Sequence, residues 1–228
     1  MRLKSVKLLA ANLEQQKLFY TQIMGLPILD DCIDTFTIRV GHSRLTFERS
    51  THADESPVYH FAFDVPGNRV AESIVWLSSR GISLNLLPQN KYQLISTTWN
   101  STSIYFYDYA GNIVEFIARH NLNYSSTSPF TSNSLLNISE IGLVVSDVPS
   151  TRELLRSRFS IDGYKNNNDC SFAAVGDEDG LFILTAHNRI WLGSNKEAKI
   201  YKTEVEIEGA VTKGELIFKD YPYKIIAN

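Results

Sequence analysis

The order of elements along these 228 residues repeats, and that repeat limits the possible folds more than any other feature. A strand is followed by a helix and then by two or three more strands. In the first unit, residues 3–10 read as a strand. Asn12 then suits an N-cap, with Gln15 at the spacing of a capping box. Residues 13–24 form a helix with Phe19 and Ile23 on one side and Leu18 close by, and Gly25 closes it. Strands over 36–40 and 44–49 flank Gly41-His42-Ser43, a hairpin signal. The second unit opens with YHFAFDV at 59–65. Its helix over 68–80 places Val70, Ile74 and Leu77 on one face and ends at Gly81. Strands over 83–87, 96–99, 103–107 and 113–118 follow, the last two joined by DYAGN. The third unit has a strand over 137–145, a helix started by Pro149 and running to about 158, and strands near 170–175 and 181–186. A fourth unit keeps strands over 198–209 and 214–219, with too few residues between them for a helix.

Solenoid repeats have periods of roughly 20–50 residues. These units are longer and mix helix with strand, which points to α+β modules assembled in pairs. Residues 121–134, NLNYSSTSPFTSNS, carry no charge and read as a linker. They divide the chain into a first domain over 1–120 and a second, reduced domain over 135–228. A net charge of −3 gives no basic excess to grip a phosphate backbone, so no nucleic acid is expected. No apolar run reaches the ~18–20 residues of a membrane span. The opening MRLKSVKLLAANLEQQ meets polar residues too early for a signal peptide, and Cys32 and Cys170 lack metal-site spacing. The expected location is cytoplasmic.

Three stretches carry a family resemblance. They are SVKLLAANLEQQKLFYTQIMGLPIL, HFAFDV at 60–65, and IYFYDYAGNIVEFI at 104–117, with ISEIGLVVSDV at 138–148 as a weaker fourth. Together they resemble the vicinal oxygen chelate superfamily, which includes glyoxalase I, extradiol dioxygenases and bleomycin-resistance proteins. The resemblance implies paired βαβββ modules, here three full and one shortened, around a cleft that holds a divalent metal. It expects the first two modules to form the cleft and the rest to pack as a reduced second copy. Carried over residue by residue, it makes His60 and Glu115 metal ligands and puts Ser5 where a stronger ligand belongs. Thr46, or Glu48 with shifted geometry, takes the matching place in the first unit. In the second copy Glu140 is a possible ligand, Lys202 cannot bind metal while protonated, and the strand near Ile183 and Leu184 offers no carboxylate.

The implied activity is that of a metal-dependent enzyme acting on a small catechol- or dicarbonyl-like molecule. Fe, Mn, Ni or Zn would chelate two neighbouring oxygens and stabilise an enolate or catecholate, with ring cleavage slightly favoured. The alternative is a metal-free module that sequesters a small molecule, which the Ser5 departure favours. A homodimer is possible. His60 could equally be an inward histidine bonded to Glu115. Tyr105 and Tyr107 share one strand face and could hydrogen-bond or protonate a bound oxygen, or could simply pack the sheet. Asp108 reads as a turn cap. Trp76 and Trp99 read as core or cleft wall, and Trp191 as part of a lid in the second copy. His42, His52, His120 and His187 read as exposed. Cys32 and Cys170 have acidic neighbours, which argues against an activated thiolate. No phosphate loop, serine elbow or zincin motif is present.

Overall fold

A computed structural model describes residues 1–51, 56–165 and 169–228. His52 lies outside the described residues. The first unit contains β1 (Arg2–Ala10), α1 (Leu13–Leu18), β2 (Ile28–Asp31), β3 (Thr35–Val40) and β4 (Ser43–Arg49). The second contains β5 (His60–Asp64), α2 (Val70–Ser78), β6 (Leu94–Ser96), β7 (Ser101–Tyr107) and β8 (Ile113–Arg119). The third contains β9 (Ile138–Val145), α3 (Val148–Phe159), β10 (Phe172–Asp177) and β11 (Gly180–Ala186). The fourth contains β12 (Thr203–Glu208), β13 (Gly214–Ile217) and β14 (Tyr223–Ala227). The fold is α+β, as expected.

Local signals account for most of these elements. Asn12 Oδ1 accepts from the Gln15 backbone N–H at 3.1 Å, so the expected cap forms. Beyond Leu18 the helix widens into a π turn, where the Met24 N–H reaches back to the Phe19 carbonyl at 2.9 Å. Phe19 and Tyr20 are neighbours in sequence, and both are buried there. Gly25 ends the turn at φ +67°, a conformation open to glycine. Asp147 caps α3 by accepting from the Ser150 N–H at 2.9 Å. Asp108 is buried beneath the DYAGN turn. It accepts from Tyr20 Oη at 2.8 Å, Gln16 Nε2 at 2.5 Å and Asn112 Nδ2 at 2.8 Å, so it ties α1 to the β7–β8 hairpin.

Four elements differ from the sequence expectation. All four residues of β2 are exposed, so no alternation marks it. Residues 83–87 make only isolated bridges, Leu84 to Phe106 and Leu87 to Lys91, and the short strand expected at 96–99 begins earlier, at Leu94. β14 went unanticipated, although its burial alternates along the strand.

Each unit closes by a parallel pairing of its opening strand with its last: β1 with β4, β5 with β8, β9 with β11, and β12 with β14. Units then join edge to edge, antiparallel. β5 pairs with β9 and β1 with β12, while Leu3 and Ile138 link the two halves. The expected cleft between the first two units is therefore not the one formed. The second unit pairs with the third, and the first with the fourth.

Alternation along the opening strands divides their residues between two faces. Val6, Phe61, Phe63, Ile141 and Val205 enter the main core, whereas His60, Ala62, Glu140 and Gly142 take the opposite face. The 121–134 stretch is anchored. Phe130 is buried against Trp76 and Phe116, and Arg69 donates to the Ser126 carbonyl. Among the described residues no helix is long and apolar enough to cross a membrane.

Candidate metal centre

Sheet register brings three ionisable side chains together. Ala62 on β5 is in register with Glu115 on β8 at one side and with Glu140 on β9 at the other. His60 lies two residues earlier on the same face of β5. The small Ala62 side chain leaves the space between the two carboxylates open. His60 Nε2 lies 3.6 Å from Glu115 Oε2 and 3.8 Å from Glu140 Oε2. One donor atom from each of the three residues lies within 4.8 Å of the others, and all three side chains are buried.

Neighbouring groups fix how these atoms point. His60 Nδ1 is 3.1 Å from the Ile113 carbonyl. A carbonyl only accepts, so Nδ1 carries the proton and Nε2 faces the carboxylates. Arg119, with no side-chain exposure, donates from Nη2 to Glu140 Oε1 and from Nε to Ser139 Oγ at 3.1 Å. Glu140 Oε2 therefore remains turned toward His60. Asp64 lies 3.7 Å from Arg119 and accepts from Asn137 Nδ2 at 2.7 Å.

Burial and the neighbouring charges set the protonation states. Burial, reinforced by the Glu140 charge, pushes Glu115 up to about 7. Burial likewise raises Asp64 to about 7, against the pull of Arg119. Burial would raise Glu140 too, but His60 and Arg119 outweigh it and hold that carboxyl below its ordinary value. Burial would lower His60, but the two glutamates outweigh it and raise the imidazole.

The cluster forms the floor of a cavity of about 270 Å³, near the lower end of the roughly 300–1,000 Å³ usual for small-molecule sites. Tyr105, Trp99 and Trp191 line it, along with Leu94, Phe172 and Ile183. Ile183 is in register with Gly142 on β9, as Glu115 is with Ala62 on β5, so the fourth position of the set is apolar. Tyr105 is cross-strand to Glu115, and burial raises its phenol well above the ordinary tyrosine value, so it stays protonated. A strap over 187–198 crosses from the third unit onto the second. Trp191 on this strap packs 5.1 Å from the His60 ring, and Asn85 Nδ2 donates to the Gly193 carbonyl at 2.7 Å.

The sequence candidates thus separate. His60, Glu115 and Tyr105 come together. Ser5 lies on β1, in register with Arg44 and Glu206, outside the cavity. Glu140 takes the place proposed for Ser5, because β9 rather than β1 lies beside β5. Tyr107 is also not among the cavity-lining residues. It donates to Asn195 Oδ1 at 3.3 Å and lies under Lys196, so it fastens the strap. Trp191 reaches across to the second unit instead of covering the second copy alone. Trp99 lines the cavity and Trp76 is core. His42, His120, His187, Cys32 and Cys170 are exposed.

The donor set fits a divalent cation. Metal–ligand bonds of ~2.0–2.2 Å place atoms that share an ion roughly 3–4 Å apart. The two His60–glutamate separations fall in that range. They exceed the ~2.7–3.2 Å of an N–H···O bond, so direct hydrogen bonding does not account for the arrangement. A dication would also favour the ionised form of Glu115, which burial and the Glu140 charge otherwise oppose.

No family model matches the sequence, and no curated protein matches it. Solved structures do match. A candidate dioxygenase from Bacillus subtilis subsp. subtilis str. 168 aligns over all of this chain and 85% of its own, with TM-score 0.65 and 12% identity. A glyoxalase I variant from Zea mays aligns over 91% of this chain and 75% of its own, with TM-score 0.56 and 15% identity. The chain therefore shares the paired-module fold of these dioxygenase and glyoxalase I structures.

Proposed function

We propose that the chain is a divalent-metal-dependent enzyme acting on a small oxygen-bearing molecule held in the 270 Å³ cavity, with His60, Glu115 and Glu140 as the metal ligands. The observation that carries this reading is the spacing of His60 Nε2 from the two buried glutamate oxygens, 3.6 and 3.8 Å, wide for a hydrogen bond and suited to a shared ion. One imidazole and two carboxylates invert the two-histidine, one-carboxylate set of non-haem iron oxygenases. That inversion favours a harder, redox-silent ion and Lewis-acid chemistry over ring cleavage.

The metal, when bound, would polarise a substrate oxygen. The protein's own groups do the rest. Arg119 holds Glu140 in place, the Ile113 carbonyl fixes the His60 tautomer, and Tyr105 offers a phenolic proton to a bound oxygen. Trp99, Phe172 and Trp191 exclude water and favour a flat substrate. The metal-free binding alternative rested on the weak ligand Ser5 and on the poor second site; Glu140 beside His60 weighs against the first of these grounds.

The test is elemental analysis of purified protein, followed by titration with Mn²⁺, Ni²⁺ and Zn²⁺ after chelator treatment. Wild-type protein is expected to take up one ion per chain. Glu140→Gln and His60→Ala are each expected to weaken uptake by at least about tenfold, whereas Ser5→Ala leaves it unchanged. If wild-type protein takes up no ion, or Glu140→Gln binds normally, the reading is wrong and a metal-free binding cleft replaces it.

A further inference from the structure

The cavity lining carries charge at a buried place and at an exposed one. His60, Glu115 and Glu140 lie on its floor, and its side walls are mainly apolar and aromatic. Among the described residues that line it, one further side chain carries charge: Arg189. Arg189 is exposed, and its guanidinium sits 4.7 Å over the ring of Phe172, another lining residue. No carboxylate among the described residues lies within ion-pair distance of it, and Asp169 is the one near enough to feel its charge.

Its backbone is fixed. The Arg189 carbonyl accepts from the Ala198 N–H at 2.8 Å, and the Asn188 N–H donates to the Ala198 carbonyl at 2.8 Å. The isolated bridge between Ile190 and Glu197 continues that ladder, and Asn85 pins the strap to the second unit. An arginine stacked on an aromatic ring is pre-organised. The ring restrains the guanidinium plane and leaves its N–H edges free for a planar anion.

We infer that Arg189 is a specificity-determining residue that binds a carboxylate on the substrate. The substrate class is then a small, flat, apolar molecule with oxygens at its inner end and a carboxylate at its outer end. The carboxylate would be repelled by Glu115 and Glu140 and attracted by Arg189, so the charges also set the orientation of the molecule. This inference rests on the reading of the cavity as the substrate site. It does not require the metal.

Two matched probe pairs test it by quenching of tryptophan fluorescence, since Trp99 and Trp191 line the cavity. The first pair is 3,4-dihydroxybenzoate against 3,4-dihydroxybenzamide on metal-loaded protein. The second is benzoate against benzamide on chelator-treated protein, where no vicinal oxygens or metal take part. In each pair wild-type protein is expected to bind the carboxylate at least about tenfold more tightly than the amide, as for a charge-assisted bidentate contact. Arg189→Gln should bring that ratio to about one by weakening the carboxylate far more than the amide, and Arg189→Lys should keep part of it. A ratio near one in wild-type protein, a ratio that survives Arg189→Gln, or no binding by either pair overturns the inference. Failure of the metal reading is distinguishable: the benzoate ratio and its loss in Arg189→Gln then persist while metal uptake is absent.

Discussion

Arg119 has no exposed side-chain surface and faces two carboxylates, Glu140 and Asp64, while its Nη1 has no hydrogen-bond partner. Removing one member of such a buried group leaves the others uncompensated, at a cost of ~3–5 kcal/mol. Arg119→Met is therefore expected to lower the stability of chelator-treated protein by about that amount in urea denaturation, with partial recovery when a divalent ion is added. A smaller loss, or no recovery, would separate Arg119 from the metal site. The protonation states give a second expectation. Glu115 and Asp64 rise from ordinary values of 4.5 and 3.8 to about 7 on folding, so between those values the folded chain binds more protons than the unfolded one. Their contribution is present at low pH and lost as pH rises through about 7. His60, raised on folding, acts in the same direction above 6.5. Chelator-treated protein should lose thermal stability from pH 5 to pH 8, to be followed by calorimetry as roughly a pH-by-pH fall in Tm. A flat or rising profile would show that the cluster is charged and paired in some other way.

At the scale of elements, the strap depends on a gap in β9. A Cβ added at Gly142 would lie 2.5 Å from Trp191 Cη2 and 3.2 Å from the His60 carbonyl oxygen. The backbone oxygen cannot yield, so the indole must. Gly142→Ala is expected to displace Trp191 from the His60 ring and weaken binding of the neutral amide probe by about tenfold or more. The indole's emission maximum should shift to the red as it meets water. Unchanged emission and affinity would mean that the strap adapts without moving the ring. Gly193 meets Tyr105 in the same way from the other side, with an added Cβ 2.5 Å from the ring. Two glycines thus permit close contact where the strap crosses the cavity.

At the scale of the whole molecule, the two pairs of units share a pseudo-symmetric plan but differ in chemistry. In the pair formed by the first and fourth units, Lys7 on β1 is in register with Glu204 on β12, as Ala62 is with Glu140 in the other pair. Lys7 lies 2.5 Å from Glu48, and Lys202 lies 3.1 Å from Glu48 and 3.3 Å from Glu204. Two ammonium groups already balance those carboxylates, so this face needs no cation. Its partly exposed pairs each contribute ~1 kcal/mol or less. The crossed pairing has a mechanical consequence. Residues 1–120 expressed alone lose β9 and β12, the partners of β5 and β1, and expose two strand edges together with core surface. That fragment is expected to aggregate or lack cooperative unfolding, and co-expression with residues 121–228 should restore a soluble complex. A stable, monomeric 1–120 fragment by size exclusion and circular dichroism would contradict this.

The repeat was legible in the sequence, because alternation, caps and glycine stops are local. Asn12, Gly25, the Gly41 hairpin and the DYAGN turn with Asp108 beneath it all formed as local chemistry dictated. His60 and Glu115 were legible only through the family resemblance, and the structure holds them near one another because one unit supplies both and its β5–β8 pairing is parallel. What the sequence could not determine was which units meet. Alternation assigns a side chain to a face of its strand, but an edge carries the same backbone donors and acceptors whichever strand it meets. The choice belongs to the packing of the whole chain. By placing β9 rather than β1 beside β5, that packing brought Glu140 to the cluster, left Ser5 outside it, and carried Trp191 and Arg189 over the cavity.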